Sequence, residues 1–244
     1  MWTKSRSHAE RLWRYTAASN AAHEQYLSDP ELLREYEQFL DWQINYQLQF
    51  YADFRDDPGW AEAIQFIVSD LNGTDISTRD ADMARIVPVM VRLLPDRGTA
   101  ALASAMKLNA RVLDFNLETC RHLAGQADWD ASISERDYCT AFRHSMTLDQ
   151  CLRLIDLTID LGQSLKRLVR SPMIGMTMRA MHYPAHAAGF GAMQDFLEKG
   201  YTTFQAIDDI DDFLERFAER MTVAFTWICE EPLANLDTTP VRYG

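Results

Sequence analysis

Apolar side chains recur at three- and four-residue intervals from Leu33 through Tyr36, Leu40, Ile44, Tyr51 and Phe54, with Gln47 the polar exception. That spacing keeps one face of an α-helix apolar. It predicts a helix from Pro30 to about Arg55. Each of the two early prolines follows an aspartate, in Asp29-Pro30 and Asp57-Pro58. An aspartate carboxylate can accept a free N–H at a helix start, and proline has no N–H to leave unpaired. Both dipeptides therefore read as helix starts. A preceding helix is expected over about Thr3–Tyr26, so residues 1–56 read as a long antiparallel hairpin.

The same rhythm continues. A third helix is expected from Pro58 to about Leu71, ending at Asn72-Gly73. A fourth starts near Ser77 with Asp80 three residues on, and runs to about Leu94 with Pro88 as a kink. A long fifth covers Thr99–Ala124, closed by Gly125. Ser134 with Asp137, and Thr147 with Gln150, cap two more helices, the latter running through Gly162 to about Val169. Pro172, Pro184, Gly189 and Gly191 should break the next stretch. The last helices are expected at about Ala187–Ala206, with Gly200 as an interruption, and at Asp209–Cys229. No segment alternates with the period of a strand. The reading is an all-α fold, a compact domain of about eight to ten helices. Its body spans residues 57–231, and residues 232–244 form a loosely ordered tail.

Composition narrows the function classes. Of 244 residues 47% are apolar, enough for a large core, and 36 Asp+Glu against 24 Lys+Arg give a net charge of -12. Such a field repels polyanions, so neither nucleic acid nor an anionic membrane is an expected partner. The four cysteines, Cys120, Cys139, Cys151 and Cys229, form no C-x-x-C pair and read as reduced, mostly buried thiols. With no signal peptide or membrane span in the pattern, the expected location is the cytoplasm.

Four segments carry a family likeness. Tyr51-Ala-Asp-Phe-Arg-Asp-Asp-Pro58 is followed by Phe66-Ile-Val-Ser-Asp-Leu-Asn72, then by Arg79-Asp-Ala-Asp-Met-Ala-Arg-Ile-Val-Pro-Val-Met-Val-Arg-Leu-Leu-Pro95. The last block is Tyr183-Pro-Ala-His-Ala-Ala-Gly-Phe-Gly-Ala-Met-Gln-Asp-Phe-Leu-Glu-Lys-Gly200. In this order they resemble the bacterial proteins named for a FFLEELY motif. In the naming segment Phe66 and Leu71 keep the motif's letters, and Ser69 and Asn72 depart from it. The resemblance implies a bacterial cytoplasmic helical protein and brings no activity with it.

Candidate chemistry is sparse. Asp82 and Arg85 are three apart, and Arg85 and Arg92 are seven apart, so the two guanidiniums share a helix face that could hold a carboxylate or phosphate. Glu118 and His122 lie four apart on the fifth helix, with Arg111 on the same face. They suggest metal ligation or an axial haem ligand at His122. A solvated Glu–His pair explains them as simply. His182 and His186 are also four apart, but Pro184 lies between them and argues against helical HxxxH geometry. A helix-start turn is the expected structure there, so no metal site is assigned. No Glu-x-x-His, G-x-S-x-G, Walker A or complete G-x-G-x-x-G occurs. The aromatics Trp42, Tyr46, Phe50, Tyr51 and Phe54 are expected in the core.

These observations favour a non-enzymatic helical binding or regulatory protein, a homodimer through the N-terminal hairpin. One alternative is a globin-like or other helical pocket for haem or a small ligand. Another is an enzyme that takes an anionic substrate on the Arg85/Arg92 face.

Overall fold

A computed structural model describes residues 2–71, 87–88, 91, 95–125 and 133–236, with side chains from residue 7 onward except Tyr26. All regular structure among these residues is helical. The elements are α1 (Trp2–Leu27), α2 (Pro30–Gln49), α3 (Ala52–Asp56), α4 (Ala61–Gln65), a π-helical turn (Phe66–Asp70), α5 (Asp96–Ala124), α6 (Glu135–Ser145), α7 (Leu148–Val169), α8 (Pro172–Ala187), α9 (Gly191–Gln205) and α10 (Ile210–Glu230). No described helix is long and apolar enough to cross a membrane.

The capping chemistry read from the sequence accounts for several of these starts. The Asp29 carboxylate accepts from the backbone N–H groups of Glu31 and Leu32, at 3.1 and 3.2 Å, and Pro30 opens α2. The Ser134 hydroxyl accepts from Asp137 N–H at the start of α6. Thr147 and Gln150 form a reciprocal capping box on α7. Asp209 caps α10 in the manner of Asp29.

Three boundaries differ from the sequence expectation. The helix from Pro30 breaks after Gln49, because Arg220 of α10 donates to the Phe50 carbonyl at 2.7 Å and to Asp53 at 2.7 Å. That guanidinium holds the chain at the break between α2 and α3. At Asp57-Pro58 a turn forms first: the Asp57 carboxylate accepts from Gly59 N–H at 2.8 Å, and α4 begins only at Ala61. The third difference bears on function. α8 continues through Pro184 to Ala187, and Gly200 does not interrupt α9. The expected fourth helix falls almost wholly outside the described residues.

The main core joins α2, α5, α6 and α10. Tyr36, Phe39, Leu40 and Tyr46 of α2 pack with Leu113, Leu117, Cys120, Tyr138, Phe142, Phe213 and Phe217. The aromatic stripe is core for the most part: Tyr46, Phe50, Tyr51 and Phe54 are buried, while Trp42 is half-buried and packs against them. Polar side chains lie inside this core as well. Buried Gln43 donates to Asn116 Oδ1 at 3.1 Å and to the Tyr138 hydroxyl at 3.4 Å, which satisfies its amide nitrogen. A smaller cluster of Leu12, Val87, Ala103, Met106 and Met193 ties α1, α5 and α9 together.

Candidate metal centre

The inner face of α9 is held by apolar contact. Met193 is fully buried, and the Phe196 ring stacks on Phe66 at 5.2 Å. Gly200 sits so close to Phe66 that a Cβ there would lie 2.8 Å from Cζ. Lys199 adds an ion pair to Asp70, 2.7 Å to each oxygen. With that face anchored to the π-helical turn, Asp195 and Glu198 are three apart and project from α9 toward α8.

α8 brings two histidines to meet them. Because the helix passes through Pro184, His182 and His186 are one turn apart on one face, their ring centroids 4.6 Å apart. The proline was expected to prevent this geometry. It removes one backbone donor, yet the turn after it closes through Ala188 N–H to the Pro184 carbonyl and Phe190 N–H to the Ala185 carbonyl, at 3.0 and 2.8 Å. Gly189, at φ +81°, then takes the left-handed conformation that lets the chain reverse into α9.

The polar contacts across the hairpin are specific. His182 Nδ1 is 3.1 and 3.0 Å from the two Glu198 oxygens. His186 Nε2 is 2.9 Å from Asp195 Oδ1. An ionised carboxylate only accepts, so these nitrogens donate. Glu198 is in turn fixed by buried Gln194, whose amide donates to Glu198 Oε1 at 2.7 Å and to the Met178 carbonyl at 3.0 Å. Gly191, the first residue of α9, makes room for the His186 ring.

One ligand atom from each of His182, His186 and Asp195 lies within 4.8 Å of the other two. Ligands on a tetrahedral first-row ion with bonds of ~2.1 Å stand about 3.4 Å apart, so side-chain rotations that draw these three atoms together would bring them to one ion. The side chains of His182, His186 and Asp195 are 39%, 41% and 56% exposed, which leaves an ion a path in. Glu198 behind His182 has the place of the carboxylate that orients a ligating imidazole.

The other sequence candidates fall elsewhere. Asp82, Arg85 and Arg92 lie outside the described residues. His122 is exposed and stacks on His144, with centroids 5.0 Å apart and planes at 24°. It lines an open cleft of about 520 Å³ with Gln25, Asp114, Leu117, Glu118 and Arg121. Arg121 donates across the cleft to Gln25 at 3.0 Å, and burial raises the Asp114 carboxyl against the pull of Arg111. This surface is polar and open, whereas an axial haem ligand needs an enclosing apolar slot. Of the α8–α9 residues, only the two histidines stood out in the sequence. Asp195 and Glu198 had a usable signal, an acidic i,i+3 pair just after the histidines, but the expected turn at Pro184 separated the two halves.

No curated protein and no solved structure matches the chain. The profile of one family, described as a domain of unknown function, DUF8198, matches residues 22–231 and so takes in all the α8–α9 residues above. With most of its length matched, the chain belongs to the DUF8198 family.

Proposed function

We propose that this is a helical binding protein whose ligand is a divalent transition-metal ion, held by His182, His186 and Asp195 with Glu198 behind them. The observation that carries the reading is the convergence of two imidazoles and a carboxylate, from two helices, within 4.8 Å of one another. Two nitrogens and one oxygen suit zinc, cobalt, nickel or copper rather than magnesium or calcium, which prefer an all-oxygen shell. An ion held there would take the place of the proton that His186 Nε2 shares with Asp195 at 2.9 Å, releasing it to solvent. His182 keeps its Nδ1 proton on Glu198 and offers Nε2. Simple histidine–carboxylate ion pairs are the competing account. In that account each imidazole only donates to its own carboxylate, and added metal finds no shared site.

Calorimetric titration of the metal-stripped protein with zinc and with cobalt tests the reading. One equivalent is expected to bind, with loss of binding in the H182A/H186A double variant and no uptake of magnesium. Unchanged binding in the double variant would show that the ion sits elsewhere.

A further inference from the structure

Three of the four thiols, Cys139, Cys151 and Cys229, gather where α6, α7 and α10 meet. α7 and α10 pack antiparallel. Gly162 of α7 faces Leu214 of α10, where a Cβ would fall 2.4 Å from Cδ2, and Gln163 and Lys166 both reach Asp211. This register brings the first turn of α7 to the last turn of α10. Cys151 and Cys229 occupy those two turns, so their thiols are neighbours across the α7–α10 seam. Cys151 is fully buried, and Cys229 is half-buried.

The surroundings of the two sulfurs differ. Arg143 of α6 donates to the carbonyls flanking Cys229, from Nε to Ile228 at 2.7 Å and from Nη2 to Glu231 at 2.6 Å. Its charge is thereby fixed beside the Cys229 end of α10. The neighbouring Cys151 thiol, and then the Arg143 charge, lower the Cys229 thiol from its ordinary value, with burial and Glu230 opposing. Cys151 is pushed the other way by its contact with Cys229 and by burial. Cys120 and Cys139 are buried, and burial drives each up to about 12. Reactive cysteines sit near cations with some exposure, and buried ones in apolar surroundings are inert.

We infer that Cys229 is a site of oxidation by hydroperoxides and that Cys151 resolves it, forming an intramolecular disulfide between α7 and α10. The Cys229 thiolate attacks one peroxide oxygen. An S–O bond forms, the O–O bond breaks, and the leaving oxygen takes a proton as water or an alcohol. The Cys151 sulfur then attacks the sulfenic sulfur. An S–S bond forms, the S–O bond breaks, and the hydroxyl leaves as water with the Cys151 proton. The two thiols supply the two electrons that reduce the peroxide. The inference does not depend on metal uptake at α8–α9.

The test uses the reduced full-length chain, exposed to one equivalent of hydrogen peroxide, alkylated, and mapped by mass spectrometry without reduction. The expected product is a cross-linked peptide containing Cys151 and Cys229, with Cys120 and Cys139 recovered as alkylated thiols. In C151S, Cys229 should trap dimedone as a sulfenic acid, and in C229S, Cys151 should stay a free thiol. The wild-type map needs no variant to fold and decides by itself. A reduced Cys229 after treatment, or an oxidised Cys229 joined to Cys139 or to another chain, would overturn the inference.

Discussion

Gly191 lies directly against the imidazole of His186: a Cβ built at Gly191 would stand 2.5 Å from Nδ1 and 2.8 Å from Cε1. The absence of a side chain at the start of α9 is what lets the last turn of α8 lay a histidine across it. G191A therefore forces the His186 ring off Asp195. Zinc affinity is expected to fall about 10–100-fold, as when support for a ligand is lost. Calorimetry alongside circular dichroism checks this, with helix content unchanged.

Glu198 acts at one remove. It accepts a hydrogen bond from His182 Nδ1–H and is itself aimed by Gln194. E198Q removes the charge that raises the basicity of the ring, so zinc affinity should fall roughly 10-fold or more while stoichiometry stays at one. If affinity is unchanged, His182 is not a ligand oriented through this carboxylate.

In the main core, Asn116 supplies the acceptor for buried Gln43 at 3.1 Å. N116A leaves an amide donor in an apolar interior with only the longer contact to Tyr138. A loss of about 1–3 kcal/mol in unfolding free energy is expected, measured by urea denaturation.

One pH effect has a definite sign. Lys166, with help from Gln163, holds the Asp211 carboxyl below its ordinary value near 3.8. A carboxyl whose value is lower folded than unfolded stabilises above the unfolded value, and that contribution is lost as pH falls through the folded one. D211N should therefore melt below the wild type at neutral pH, and the gap should close in acid as the wild-type carboxyl protonates. Thermal melts across that range read it, and a gap that widens in acid would contradict the assignment.

Much of the helical order was legible because its signals are local. Asp29-Pro30, Ser134 with Asp137, and Thr147 with Gln150 each act within one turn, so the cap residues name the helix start without knowledge of the rest. The break at Phe50 was not legible, since Arg220, which holds it, lies 170 residues away. Pro184 misled for a related reason. Its local cost is real, but the packing of α8 on α9, with Gln194 bonded to the Met178 carbonyl, carries the helix through. Once that helix was mistaken for a turn, the histidines lost their shared face, and Asp195 and Glu198 had nothing to meet.

The most direct test is an anomalous difference map from crystals grown with zinc and collected above and below the zinc edge. A single strong peak is expected between α8 and α9, at ~2.0–2.2 Å from a nitrogen of His182, a nitrogen of His186 and an oxygen of Asp195. A map with no peak there, or with zinc bound by other residues, would contradict the account.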